Sequence, residues 1–277
     1  IQVSSALLVL AKTVVDMHPE QAQANTIYAD MLALQSKKRE ALQYYIKAAR
    51  QDNSVLQVWT QVLSLESDLN LLDSLAVHSE EALETFPNYA LFWLYNGTAL
   101  LGTGQYEEAS GALDEGKRLS FSNKELLKEF KARLGDAYNG LKQYEKSTGY
   151  YEEVLKEDPN HAYTLNNYSY FLALRKTDMS KAKKLAARLV KNNPEVATYL
   201  DTYGWILYIA KDYKDARKYL AKAVAKKPSG TILEHYGDVL FKLGDTEQAI
   251  GQWQKAKSKG GTSKLIDKKI ADKKLYE

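Results

Sequence analysis

The chain has 277 residues, of which 26% are charged and none is cysteine, and its formal net charge is +3. The missing cysteines exclude disulfides, thiolate metal sites and a thiol nucleophile. No apolar run reaches the ~18–20 residues that a spanning helix needs, and five prolines and 15 glycines are too few for a disordered or collagen-like chain.

The small net charge hides a split. Residues 176–277 carry 22 Lys and Arg against 12 Asp and Glu, a net +10, whereas residues 1–175 carry 16 against 23, a net −7. This pattern fits either an anionic partner for one half or lysine-rich outer helix faces that keep the chain in solution. The lysines alternate with acids at helical spacing, which favours solvated faces.

In chain order, residues 4–17 read as an amphipathic helix closed by Pro19. After it, a pattern recurs every 34 residues or so. A small residue falls in one amphipathic stretch, an Ala or Ser follows 12 or 13 positions later in a second, and a Pro often closes the unit. Gly97 and Ala109 are one copy, then Gly135, Ser147 and Pro159, then Ser169, Ala182 and Pro194. Gly204, Ala216 and Pro228 follow, and Gly237 with Ala249 is the last. A period of this length marks a repeat architecture, here helix pairs A and B joined by short turns. In the copy starting at Ala90, Trp93, Gly97 and Leu100 mark helix A, Gly102-Thr103-Gly104-Gln105 the turn, and Tyr106, Ala109 and Leu113 helix B. Small residues facing each other, such as Gly204 and Ala216, are expected to let each pair approach closely.

Three irregularities stand out. Leu63 and Leu75 occupy the small positions of the second pair, which should splay. Residues 124–127 are an insertion that should lengthen a helix or loop, and one further residue is inserted near Thr177-Asp178-Met179. Gly260-Gly261-Thr262 ends the last B helix. Ser263 to Leu275 then reads as a capping helix, with Leu265, Ile266 and Ile270 on one side and Lys268, Lys269, Lys273 and Lys274 on the other. Because residue 1 is Ile, and helix 4–17 lacks a partner A helix, a processed or excised segment is expected.

Tests for chemistry come out empty. The Gly111 to Lys117 stretch has phosphate-loop spacing, but Arg118 replaces the Ser or Thr and the segment lies inside a helix. His18, His78, His161 and His235 are scattered, and His78 with Glu81 is only a two-ligand pair. The sequons at Asn96 and Asn167 fall within packed helices. The reading is therefore no catalytic residue, no metal, no cofactor and no enzyme activity.

These residues resemble the tetratricopeptide repeat family. Its order of bulky, small, aromatic and Ala positions appears in Tyr28, Ala29, Leu32, Ala41, Tyr45 and Ala48. It recurs in Trp59, Ala82 and Pro87, and most fully in Tyr203, Gly204, Leu207, Ala216, Leu220, Ala223 and Pro228. The resemblance covers residues 22–261 and implies an all-α, right-handed superhelical solenoid of about seven helix pairs, preceded by a half repeat (1–21) and closed by a cap (262–277). About half of the 20 tyrosines, Tyr106, Tyr144, Tyr151 and Tyr168 among them, would then fill repeat positions in the core.

In this family the A helices line a concave groove. That implies a non-enzymatic scaffold binding a protein or peptide there, with Tyr163, Asn166, Asn167, Tyr170, Trp205 and Tyr208 as the contact residues. Glu234, Asp238 and Phe241, with His235 beside them, would continue that face. No copy offers the Lys and Asn pair with which some members grip a terminal carboxylate. The stretches Leu200–Tyr208 and His235–Phe241 are further similar to envelope-associated tetratricopeptide lipoproteins of Gram-negative bacteria, in a Bacteroidetes-like version. This implies a periplasmic protein, held at the outer membrane by a tether outside this chain and working in envelope assembly or secretion. A small-molecule substrate is not expected, nucleic acid is disfavoured, and a monomer or weak dimer is expected. Two alternatives stay open: an anionic or nucleic-acid partner for the basic half, and an accessory repeat region of a larger enzyme.

Overall fold

A computed structural model describes residues 5–276. Among them are 16 helices and no strand. The first helix, α1, is Ser5–Met17. Seven pairs follow: α2 (Ala22–Leu34) with α3 (Lys38–Gln51), α4 (Leu56–Asp68) with α5 (Leu72–Thr85), α6 (Ala90–Gly102) with α7 (Tyr106–Leu119), α8 (Lys124–Gly140) with α9 (Tyr144–Glu157), α10 (Ala162–Arg175) with α11 (Met179–Asn192), α12 (Ala197–Ile209) with α13 (Tyr213–Lys226), and α14 (Gly230–Lys242) with α15 (Thr246–Lys259). The last, α16, is Ile266–Ala271. The helices gather into two compact units divided between Tyr150 and Tyr151. No described helix is long and apolar enough to cross a membrane.

In the first unit each helix from α1 to α7 packs on the next, and α4 and α8 both touch α6. In the second, α10 and α14 both touch α12. Thus α4, α6 and α8 form a row of A helices in the first unit, and α10, α12 and α14 form one in the second. The B helices carry the Lys- and Glu-rich outer faces, as in α13, where only Ala216, Leu220 and Ala223 are buried.

Each A-to-B turn is built the same way. One residue adopts a left-handed conformation: Ser36, Asn70, Gly104, Lys142, Lys176, Lys211 and Gly244 in turn. The next residue's N–H reaches back to a carbonyl five positions before it, as in Asp212 N to Leu207 O at 2.9 Å and Gln143 N to Tyr138 O at 2.8 Å. This is the Schellman closure of a helix C-terminus. Only two of the seven left-handed positions are glycine. Gly102, expected in a turn, is instead the last residue of α6, where a Cβ would lie 2.3 Å from Leu72 Cδ1.

The close approach within a pair differs from the small-on-small contact expected. A Cβ on Gly204 would fall 2.6 Å from Leu220 Cγ, and Leu220, not Ala216, supplies its nearest atoms. Gly97 meets Leu113 Cγ at 2.5 Å and Gly237 meets Trp253 Cδ1 at 2.5 Å in the same way. The small residue of helix A is a socket for the large residue one turn beyond the buried Ala of helix B. Where Leu63 fills the socket, α4 and α5 touch over fewer residues than α2 with α3 or α6 with α7, so this pair is splayed as expected.

The insertion at 124–127 extends α8 at its N-terminus, where the Asn123 side chain accepts from Leu126 N at 3.1 Å. The inserted residue near 177 is absorbed by α10, which runs to Arg175. Tyr28, Tyr45, Tyr151 and Tyr168 are core, but Tyr106 and Tyr144 open their B helices and are 37% and 43% exposed. The cap is shorter than expected, and Lys269, expected on its solvent side, is buried. Asn96 lies buried in α6 and donates to Ser79 Oγ at 3.0 Å; Asn167 lies within α10.

Replacing Gly204 by Leu should lower the stability of the folded chain by about 1–3 kcal/mol or more, because two leucines would contend for one socket. Lys222→Ala on the outer face should stay within about 0.5 kcal/mol. Urea denaturation of both variants measures this, and equal midpoints would contradict the socket.

Residue 4 lies outside the described residues, and α1 is a helix that packs on α2. Ala11 and Val15 pack inward, while Leu7, Val9, Leu10 and Met17 are exposed. The exposed apolar side chains of α1 should let the chain associate weakly through that face. Light scattering should find less association for Val9→Lys/Leu10→Lys, and unchanged association would place the contact elsewhere.

Candidate functional site

The residues singled out on α10 are half-buried rather than open. Asn166 Nδ2 donates to Asn167 Oδ1 at 2.9 Å, and Asn166 Oδ1 is buried with no hydrogen-bond partner among the described residues. Tyr163 and Asn167 are each engaged with neighbours. Burial raises the pKa of the Tyr170 phenol, and the negative charge of Asp201 adds to the shift. Tyr170 thus reaches toward α12.

On α12, Asp201, Trp205 and Tyr208 recur at helical spacing along one face. Asp201 accepts from His235 Nδ1 of α14 at 2.9 Å. Trp205 stacks on His235 with ring centroids 4.0 Å apart and on Tyr208 at 4.6 Å. Tyr208 also contacts Tyr213 of α13 at 5.5 Å. Tyr208 was expected as an open contact residue, but it is only 6% exposed. The neighbouring helices cover it, so it supports Trp205 from behind. Trp205, with much of its ring surface taken by these two neighbours, presents what remains of its surface.

It presents that surface to a cleft of about 700 Å³ between α12, α14 and the cap. Trp205, Tyr208, Ile209, Leu265 and Tyr276 supply apolar wall, and Lys176, Lys211 and Lys242 also line it. Its size and mixed lining are those of a ligand or side-chain pocket.

The cap is held to this wall by a buried charge cluster. Lys269 Nζ donates to Glu234 Oε1 at 2.8 Å and to both Asp238 oxygens at 2.9 and 2.8 Å. Ser263 donates to Glu234 from N at 2.8 Å and from Oγ at 2.5 Å, and Trp253 Nε1 donates to Asp238 Oδ1 at 2.8 Å. One ammonium serves two carboxylates, so their protons are held unequally. Burial alone would raise Glu234, but Lys269 and Ser263 outweigh it and hold its pKa below the usual value. Burial pushes Asp238 up to about 6, against the pull of Lys269 and Trp253. Glu234 and Asp238 were expected to offer open charge to a partner. They are anchors for the cap instead, and Phe241 packs on Trp253 at 5.7 Å. Two acids one turn apart on a largely apolar A helix are a legible sign that a cation must close over them.

Models of the tetratricopeptide repeat match residues 129–161, 172–231 and 211–260. Residues 129–161 and 172–260 are tetratricopeptide repeats. A TPR repeat-containing protein of Pseudomonas aeruginosa is 31% identical over 168 residues, 60% of this chain and 28% of that protein. The chain spans well under half the length of the curated relatives it matches. Among solved structures, a tetratricopeptide repeat protein from Parabacteroides merdae has a TM-score of 0.70 at 13% identity, covering 91% of this chain and 98% of that one. The APC/C hetero-tetramer Cut9–Hcn1 has a TM-score of 0.69 at 13% identity, covering 97% of this chain and 52% of the other. At such identities the likeness is one of fold.

The raised Asp238 carries a pH signature. A carboxyl whose folded pKa lies above its ordinary 3.8 adds stability that is present below that value and lost as pH rises through about 6. Glu234 is shifted the other way, and its contribution is lost only on acidification below its ordinary range. From about pH 7 to about pH 4, the wild-type chain should therefore gain on the order of 2 kcal/mol relative to Asp238→Asn. Urea midpoints across that range measure the difference, and a constant one would show that Asp238 stays ionised throughout.

Proposed function

We propose that this chain is a non-catalytic scaffold that receives a segment of a partner protein on the A-helix face of its second unit. The observation that carries the reading is the cleft beside Trp205, which combines apolar wall, polar groups and a hydrogen-bonded support. Tetratricopeptide repeats commonly serve as protein-binding scaffolds, and Cut9, of the same fold, occurs in a hetero-tetramer with Hcn1. On this reading Tyr170 and Trp205 contact the partner, Tyr163, Asn166 and Asn167 extend the surface along α10, and Tyr208 holds Trp205 in place.

A periplasmic setting, with tethering to the outer membrane outside this chain, is part of the proposal. Its support is the resemblance of Leu200–Tyr208 and His235–Phe241 to envelope-associated repeat proteins. Fractionation of source cells tests it, and recovery in the cytoplasm would refute it.

Capture from an envelope extract should yield a protein that protects α10 and α12 from hydrogen exchange. Tyr170→Ala/Trp205→Ala should lose it, since truncating a central aromatic contact costs about 2 kcal/mol or more. A double variant that melts like the parent and keeps every partner would refute the site.

A further inference from the structure

The geometry points to an acidic, extended polypeptide segment as the occupant of the cleft, with carboxylates about three residues apart flanking an apolar side chain. This rests on the protein-binding reading above and names the chemistry of the partner.

Around the second unit several B-helix lysines have counter-ions: Lys181 pairs with Glu152, Lys183 with Asp212 and Lys226 with Glu195. The acids beside the cleft are also taken, Glu234 and Asp238 by Lys269 and Asp201 by His235. Lys176 and Lys211 differ. Both are exposed, both line the cleft, and neither has a carboxylate partner among the described residues. The mouth of the cleft therefore carries unpaired positive charge above paired negative charge, and it attracts anions.

The turns set the spacing. Lys176 and Lys211 are the left-handed residues of successive A-to-B turns, with φ of 54° and 64°. They therefore repeat with the spacing of α10 and α12, which touch one another. Packed helices lie about 8–10 Å apart, and an extended chain advances about 3.3 Å per residue. Carboxylates at every third residue thus match consecutive turns. In the same cleft, the free surface of Trp205 and the exposed side of Leu265 offer apolar contact for an aromatic or branched side chain. A nucleic acid would need a longer track of unpaired cations than these turns supply.

The same backbone geometry provides a clean variant. Glycine adopts positive φ without strain, so Lys176→Gly/Lys211→Gly removes both charges while the turns keep their shape. Its melting temperature should equal or exceed that of the parent. A displayed library of random peptides, selected on the immobilised chain, should enrich sequences with Asp or Glu three apart beside an aromatic or branched residue. A synthetic copy of the most enriched peptide should bind the double variant about tenfold more weakly, as should its Glu-to-Gln version to the parent, with affinity falling as salt rises.

Enriched peptides without acidic bias, or acidic ones indifferent to the double variant, overturn the inference and leave the protein-binding reading standing. If the folded chain enriches no peptide, both fail. Binding of a single-stranded oligonucleotide that the double variant loses, without peptide enrichment, reassigns the cations to nucleic acid.

Discussion

Three helix pairs depend on one kind of contact at their crossing: the Cα of helix A is pressed under a large side chain of helix B. Gly97 under Leu113, Gly204 under Leu220 and Gly237 under Trp253 leave no room for a Cβ. A socket of this kind sets how closely the two axes approach and how far A can rotate against B. Since A helices also touch A helices, the spacing of each pair is passed to the next. The second pair shows the converse. Leu63 and Leu75 are fully buried, yet α4 and α5 touch sparingly, because a filled socket holds helices apart.

The turns complete this frame. A Schellman closure at each A-to-B junction satisfies helix-end carbonyls and turns the chain within a few residues. Five of the seven left-handed residues are Ser, Asn or Lys, which bear a conformation that glycine would adopt more cheaply. Three of these are lysines, two of which stand at the cleft, so a locally costly backbone choice coincides with the place where unpaired charge is presented.

The aromatic wall and the charge cluster solve different problems on the same face. Stacking of His235, Trp205 and Tyr208 fixes side chains without further charge, and Asp201 holds the imidazole by its Nδ1 hydrogen. The Lys269 cluster buries one cation against two acids, a combination tolerable only because Ser263 and Trp253 add hydrogen bonds. It binds the short cap to α14 and α15, and so creates one side of the cleft.

Periodicity alone carried much of the fold. The small residue, the Ala and the Pro at fixed intervals located five helix pairs, and the family resemblance added the first two, since helix pairing is a local property of spacing. That Trp205 and Tyr208 share one face of α12 was also legible, because helical spacing decides which side chains share a face. Exposure was not. Tyr208 is covered by Tyr213 and Trp205, and Lys269 is buried by acids 31 and 35 residues away, contacts that no single helix period contains. The socket partner of Gly204 escaped for the same reason: the rotation of one helix against another places Leu220 there rather than Ala216. Sequence by itself determined the repeat, its helices and their inward faces. Only the packing of helix on helix decided which of the inward residues meet solvent, which are spent on one another, and where a cleft remains.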